Sequence, residues 1–335
     1  MKRIFVLTAL LIALTNLAAG PTASGNEPPE NFQPLHPVNT FSIICYDSAT
    51  GEFGGAVQSH WFKVANVIWL EPGVGAVATQ SLTDLAYGPL GLDMMRMGRT
   101  AGEALDGLLA SDSNNAVRQV AMIDADGNMA THTGDKCIPE AGHLQGANYS
   151  VQANLMRDNT VWGAMAMAFE NTEGDLAERM MAALEAAQKE GGDIRGMQSA
   201  AMFVVSGTPT GRPWDDYLID LRVDDSPEPL KELRRLLNIN RAYNLMDEGD
   251  VYIAAGEYDS ASWAYGQAAE LAPGNPEILF WYAVTLVTVG EVDRSLPIFK
   301  QVFAMDESWR DLVPRLPHSG LLPDDEAIIE KIVQQ

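Results

Sequence analysis

The chain has 335 residues, 47% of them hydrophobic and 20% charged, which is enough for two domains with cores of their own and too apolar for disorder throughout. Its 45 acidic side chains against 22 basic ones leave a net charge of -23. That balance offers phosphates no basic face and is repelled by an anionic bilayer, so neither nucleic-acid binding nor binding to a membrane surface is expected.

Lys2 and Arg3 precede an apolar run over residues 4–19, and small residues follow at Ala18, Ala19, Gly20, Ala23, Ser24 and Gly25. The run is shorter than the ~20 residues of a bilayer span. A positive start, a short apolar stretch and small residues predict a cleavable signal peptide over 1–25, hence a secreted or periplasmic protein with no membrane anchor after cleavage. The proline-rich, polar segment 26–39 reads as a leader or linker.

From Thr40 the pattern changes to β. Residues 40–46 and 53–58 flank the turn 47–52 and predict a hairpin. Further strands are expected over 64–70 and 74–79, separated by Glu71-Pro72-Gly73. Helical spacing over 90–109, broken near Gly98, predicts two helical pieces. Residues 119–123 and 128–131 surround Asp124-Ala125-Asp126-Gly127. That tetrad is a hairpin turn rather than a calcium loop, because the closing Glu of such a loop is missing. A strand over 149–155, amphipathic helices over 160–169 and 176–189 capped by Gly191-Gly192, and strands over 199–205 and 218–223 complete the segment. Strands, helices, strands, helices and strands in that order lack clean βαβ alternation. They suit an α+β fold with layered sheets and helices outside.

Cys45 and Cys137 are the only cysteines. An oxidising compartment permits a bridge between them, and an apolar strand equally suits Cys45 as a buried thiol; both readings stay open. With five scattered histidines they make no metal-ligand spacing. Dinucleotide, phosphate-loop and metalloprotease motifs are missing as well, so neither metal nor cofactor is expected.

Beyond Asp224-Asp225-Ser226-Pro227 the chain turns helical, with a repeat of 34 residues: Gly256 and Gly290, Ala261 and Ser295, Tyr265 and Phe299, Ala268 and Val302. Gly249, Tyr252, Gly256, Ala261, Tyr265, Ala268 and Pro273 match the tetratricopeptide pattern. An all-α pair of tetratricopeptide repeats is therefore expected over 238–335, capped by helices over 228–240 and 324–333. Such units commonly bind peptides or proteins, so a partner for 238–335 is expected; packing on the first domain is the plainer alternative.

The chemistry centres on Thr40, which opens the hairpin, and Ser59 at its far end. This arrangement resembles the start of N-terminal nucleophile (Ntn) hydrolases, including proteasome β subunits. A threonine hydroxyl needs a base to take its proton, and a free α-amine on the same residue, with a pKa of ~7.7–8.0, supplies one near neutral pH. Thr40-Phe41-Ser42-Ile43, Gly75-Ala76-Val77-Ala78-Thr79-Gln80, Tyr87-Gly88-Pro89-Leu90-Gly91-Leu92, Arg118-Gln119, His132-Thr133-Gly134, Gly191 to Gly196, Gln198-Ser199-Ala200-Ala201 and Asp220 to Asp225 resemble a bacterial family with that fold, domain of unknown function 1028. The resemblance runs over residues 40–237 and implies an αββα four-layer sandwich.

The resemblance implies Thr40 as nucleophile and base, with Ser59 hydrogen-bonded to its amine or hydroxyl. Backbone N–H groups over 73–79 are candidates for an oxyanion hole. Thr79, Gln80, Asp193, Arg195 and Gln198 are candidates for holding substrate, Arg195 as a clamp for a carboxylate. The same residues also read as a β-branched strand start, a strand-end serine and an Asp193–Arg195 loop tie. Lys63 is the nearest lysine, at a position that does not match the lysine of the proteasome site, and His132 reads as a structural histidine.

The expected function is that of an exported amidohydrolase or peptidase acting on a small amide or a peptide. It requires a cut between Asn39 and Thr40, because a peptide bond on the threonine nitrogen removes the base. The competing expectation is a non-catalytic Ntn-type scaffold that binds envelope partners through its repeats. Assembly into a homo-oligomer is compatible with either.

Overall fold

Alternating apolar residues bounded by turns build two antiparallel sheets, and a helical segment follows them. The structure is a computed structural model and describes residues 37–335. The expected signal peptide and the leader up to residue 36 lie outside the described residues. In chain order the strands are β1 (Pro37–Val38), β2 (Thr40–Tyr46), β3 (Phe53–Ser59), β4 (Ile68–Glu71), β5 (Gly75–Leu82), β6 (Arg118–Asp124), β7 (Met129–Thr133), β8 (Gly142–Gly146), β9 (Tyr149–Ala153), β10 (Ser199–Val205) and β11 (Tyr217–Val223). The helices are α1 (Tyr87–Arg96), α2 (Ala101–Ser111), α3 (Val161–Asn171), α4 (Leu176–Lys189), α5 (Pro229–Ala255), α6 (Tyr258–Leu271), α7 (Pro276–Thr288), α8 (Val292–Met305), α9 (Ser308–Leu312) and α10 (Glu326–Val333).

One sheet has the order β11-β10-β3-β2-β9-β8; the other has β1-β5-β6-β7, with β4 also paired to β5. Period-2 alternation sends each strand's side chains to opposite faces. Ile44, Val57, Ile68, Ala78, Ile123 and Phe203 fill the space between the sheets. Phe41, Ile43 and Met202 instead meet Met165, Phe169 and Met180 of α3 and α4. Val77, Val120 and Met122 meet Leu92 of α1 and Leu105 of α2. Each sheet is thus covered outside by a helix pair and inside by the other sheet. Gly54 and Gly55 of β3 permit this close approach on both faces. A Cβ at Gly54 would stand 2.8 Å from the Met180 methyl, and one at Gly55 would stand 2.7 Å from Ile68 Cγ2.

Local signals set the boundaries. Gly98 at φ 85 breaks the helical run, and Thr100 with Glu103 forms a capping box that starts α2. The Asp124 carboxylate accepts from the backbone of Asp126 and Asn128 and from Ala101 at the head of α2, so the tetrad is a hairpin turn. Both cysteines are buried and free, which closes the question of a bridge between them.

Three expectations need correction. Residues 64–67 form a single 3-10 turn, with the strand starting only at Ile68. The turn is tied to the first sheet: Val64 N donates to Ser199 Oγ and Lys63 N to Asp224 O. β8, rich in Gly, His and Gln, lacked the alternation that marks a strand, yet pairs with β9 along its length. Residues 37–38, placed within the leader, form β1 on the edge of β5.

The C-terminal segment holds six helices. Its period is visible in space: α6 and α8 begin at Tyr258 and Val292 and end at Leu271 and Met305, 34 residues apart at both ends. Gly256 and Gly290, at φ 77 and 87, lie in the turns before them. α7 is buried nearly all round; its Phe280 meets Phe299 edge-on and Trp309 at a tilt. α5 runs unbroken from the sheets into this segment. Arg234 bridges to Glu178 and Glu185, and Arg241 to Glu178 and Asp175, all on α4 or its N-cap. Among the described residues no helix is long and apolar enough to cross a membrane.

Candidate active site

Antiparallel pairing places Thr40 of β2 directly opposite Ser59 of β3, and Ser59 opposite Ser199 of β10. Three hydroxyl residues thus form a row across one end of the first sheet. Their phase, shared with Ser42 and Ile44, turns them toward the second sheet. Thr40 and Ser59 are fully buried, and Asn39 is 2% exposed.

The peptide between Asn39 and Thr40 is held at its own carbonyl and at the Thr40 carbonyl that follows. Ser59 Oγ donates to the Asn39 carbonyl at 2.5 Å. Arg195 Nη2 donates to the same oxygen at 2.8 Å. The guanidinium is itself fixed by Asp193, which accepts from Arg195 Nε at 3.0 Å and from Nη2 at 2.6 Å. Asp193, with a fully buried side chain, is oriented in turn by the backbone amides of His60 and Arg195. The Thr40 carbonyl accepts from Asn154 N at 3.1 Å and from Gln80 Nε2 at 3.2 Å.

Behind this peptide the space between the sheets is polar. Gln80 Nε2 donates to Gln119 Oε1 at 2.7 Å, and Ser42 Oγ donates to Gln80 Oε1 at 2.6 Å. Gln152 Nε2 donates to Ser42 Oγ, while Gln119 Nε2 reaches Thr133 Oγ1. Thr133 Oγ1 also meets His143 Nδ1 at 2.8 Å. Burial, aided by the nearby His132, holds the His143 imidazole below its ordinary value. Buried amides partnered this way fix side chains in one arrangement.

The backbone here is strained. Ser81 follows Gln80 at φ 71, and Leu155 follows Asn154 at φ 56. Non-glycine residues seldom adopt these angles, which concentrate at functional sites. Two of the residues that grip the Thr40 carbonyl are thus each followed by a left-handed residue.

Of the residues singled out from the sequence, Thr40, Ser59, Gln80, Asp193 and Arg195 converge on this peptide. Thr79 does not: on the alternate phase of β5 it meets Thr83 Oγ1 at 3.1 Å. Gln198 turns outward to Asp225 at 3.1 Å. Backbone groups of Gly75 to Ala78 pair with β4 on one side and β6 on the other, so the donors on a carbonyl here are Ser59 and Arg195 instead. Lys63 is exposed. His132 Nε2 meets the Asn115 carbonyl at 2.9 Å. As site residues, Ser42, Gln119, Gln152 and Asn154 were missed by sequence reading, although Ser42 and Gln119 lie in segments that carry the resemblance. The signal for Gln119 and Gln152 was glutamine at core-facing phase inside apolar strands, as in Val151-Gln152-Ala153. Among the described residues no group of three potential metal ligands is clustered.

No curated protein matches the chain. A crystal structure of a Silicibacter pomeroyi protein assigned to DUF1028 is similar, with 32% identity and a TM-score of 0.54 over 59% of this chain and 88% of that one. The model of DUF1028, a family of unknown function, matches residues 40–233, a span that begins at Thr40 itself, and the chain belongs to that family.

Proposed function

We propose that this protein is an exported amide-bond hydrolase whose nucleophile, Thr40, is released by scission of the Asn39–Thr40 bond. The observation that carries the reading is the pair of donors, Ser59 Oγ and Arg195 Nη2, on the Asn39 carbonyl oxygen. Attack by the Thr40 hydroxyl on that carbonyl carbon would put negative charge on this oxygen, and two preset donors, one of them cationic, stabilise it.

The Thr40 oxygen bonds to the Asn39 carbonyl carbon; the C–N bond breaks, and the nitrogen takes the hydroxyl proton. The product is an ester joined to a free α-amine. Water then hydrolyses the ester, leaving an Asn39 carboxylate and a restored hydroxyl. From there the amine serves as base toward a second amide: it takes the hydroxyl proton during attack and passes it to the departing amine, and water clears the acyl group. The uncut state also carries a cost, because Asn39 Oδ1 is buried with no partner among the described residues. An orphan of this kind costs about 1–3 kcal/mol, which departure of the leader relieves.

Two facing sheets with helix pairs outside fit an Ntn-type αββα sandwich, and the 34-residue spacing of α6 and α8 fits two tetratricopeptide repeats. That spacing also favours a recruiting role for the repeats, tested by comparing co-purifying proteins with and without residues 256–335; an unchanged set removes that role. The hydrolase reading is tested by Thr40→Ala, which should abolish both the scission and any amide hydrolysis. Undiminished hydrolysis in that variant refutes it.

A further inference from the structure

Residues 37–39 do more than precede the nucleophile. β1 lies on the edge of β5 in antiparallel register, with Pro37 opposite Leu82 and Val38 opposite Ser81. β4 covers the Gly75–Ala78 end of that edge, so β1 occupies the remaining end, beside the row of hydroxyls. The next residue, Asn39, is enclosed at 2% exposure with its carbonyl between Ser59 and Arg195. The segment therefore enters as an added strand and ends with its last carbonyl at the reacting position.

Resting on the reading of Thr40 as nucleophile, we propose that this segment marks the substrate site of the mature protein, and that its substrates are extended peptides bound by strand addition to Ser81–Leu82. The chemical reason is that the ester formed during scission is already an acyl-enzyme, with the leader as its acyl group. Whatever groups position that acyl chain for attack and hydrolysis are in place for the next one. Once the leader leaves, Ser81 and Leu82 lose the pairing they now make, and an incoming backbone restores it. Ser59 and Arg195 lose their carbonyl and receive the substrate's. The enclosure around Asn39 sets a limit on the residue just before the scissile bond: one of asparagine size enters, and a large aromatic one does not.

Ordering favours this class over small amides. A short acyl group engages only the carbonyl cradle, whereas a peptide of three residues also recovers the backbone pairing. Recovering the pairing with Ser81 and Leu82, on the order of one or two backbone hydrogen bonds, corresponds to a gain of about tenfold or more in kcat/KM.

The test uses the self-processed full chain, its start at Thr40 verified by intact mass. Four fluorogenic aminocoumarin amides are compared: acetyl-Pro-Val-Asn, acetyl-Asn, acetyl-Pro-Val-Trp, and acetyl-Pro-Val-Asn with both the Val and Asn amides N-methylated. Thr40→Ala supplies the background rate. The expected result is kcat/KM for acetyl-Pro-Val-Asn about tenfold or more above the other three. Equal or faster turnover of acetyl-Asn, or indifference to N-methylation, overturns the strand-addition proposal and leaves Thr40 as nucleophile. A chain that starts at Thr40 and turns over none of the four also overturns it. A chain that keeps its Asn39–Thr40 bond overturns this proposal together with the reading beneath it.

Discussion

Ser59 is the sharpest place to probe the scission. Its hydroxyl is fully buried and lies 2.5 Å from the Asn39 oxygen. Ser59→Ala removes that oxygen and adds no bulk, so the β2–β3–β10 pairing is retained. Losing one donor from a site of developing negative charge costs about 10²–10³ in rate, or roughly 3 kcal/mol of transition-state stabilisation. The cost to folding is smaller, about 1 kcal/mol for one hydrogen bond, so the variant remains folded. The assay is a time course of intact mass on precursor purified before scission, with circular dichroism as the folding control. Wild-type precursor should convert to a chain starting at Thr40, and Ser59→Ala should do so roughly 10²–10³ times more slowly. Lys63→Ala, an exposed change off the site, should match wild type. Scission of Ser59→Ala at the wild-type rate would refute the oxyanion argument.

Two further expectations concern titration. Burial pushes the Cys45 thiol up to about 12 from 9.0, so native protein should resist thiol reagents at pH 8 and react once unfolded. A raised value means this group's contribution is complete below pH 9.0 and fades as pH climbs toward 12, since the unfolded chain ionises first. Cys45→Ala should therefore flatten the alkaline fall in stability, and an unchanged slope counts against the burial argument. Burial alone would raise the Glu178 carboxyl, but its hydrogen bonds with Arg234 and Arg241 outweigh that and hold it below 4.5. A depressed value contributes stability above pH 4.5 that is lost as pH falls through the folded value. Urea denaturation at neutral and acid pH should show a smaller acid loss for Glu178→Gln than for wild type; equal losses would mean this link does not hold α5 to α4.

Much of the strand order was legible because each β-rich run is flanked by a turn with its own chemistry. Asp124 closes one such turn with its carboxylate, and Thr100 with Glu103 starts a helix where the pattern broke. The 34-residue period was readable from paired glycines and small residues, since each has a fixed duty between packed helices. What stayed hidden depended on distant partners. Residues 64–67 look like a strand by composition, but Ser199 and Asp224, far along the chain, hold them in a turn. β8 is a strand only because β9 lies beside it.

The site divides the same way. Thr40 and Ser59 follow from a hairpin register that the sequence suggests, so their juxtaposition was accessible. Gln80 was picked out and Gln119 was not, although the two lie opposite each other in β5 and β6. Glutamine at a core phase reads as an isolated oddity until the other sheet supplies its partners. Thr79 was named with Gln80 as a candidate for holding substrate, but successive residues of a strand face opposite ways, and its side chain belongs to the helix side.

The proposed catalysis needs a free α-amine at residue 40, and intact mass with N-terminal sequencing of the exported protein reads it directly. A mature chain beginning Thr40-Phe41-Ser42-Ile43 is the predicted result. A mature chain beginning near residue 25, with the Asn39–Thr40 bond intact, would contradict it.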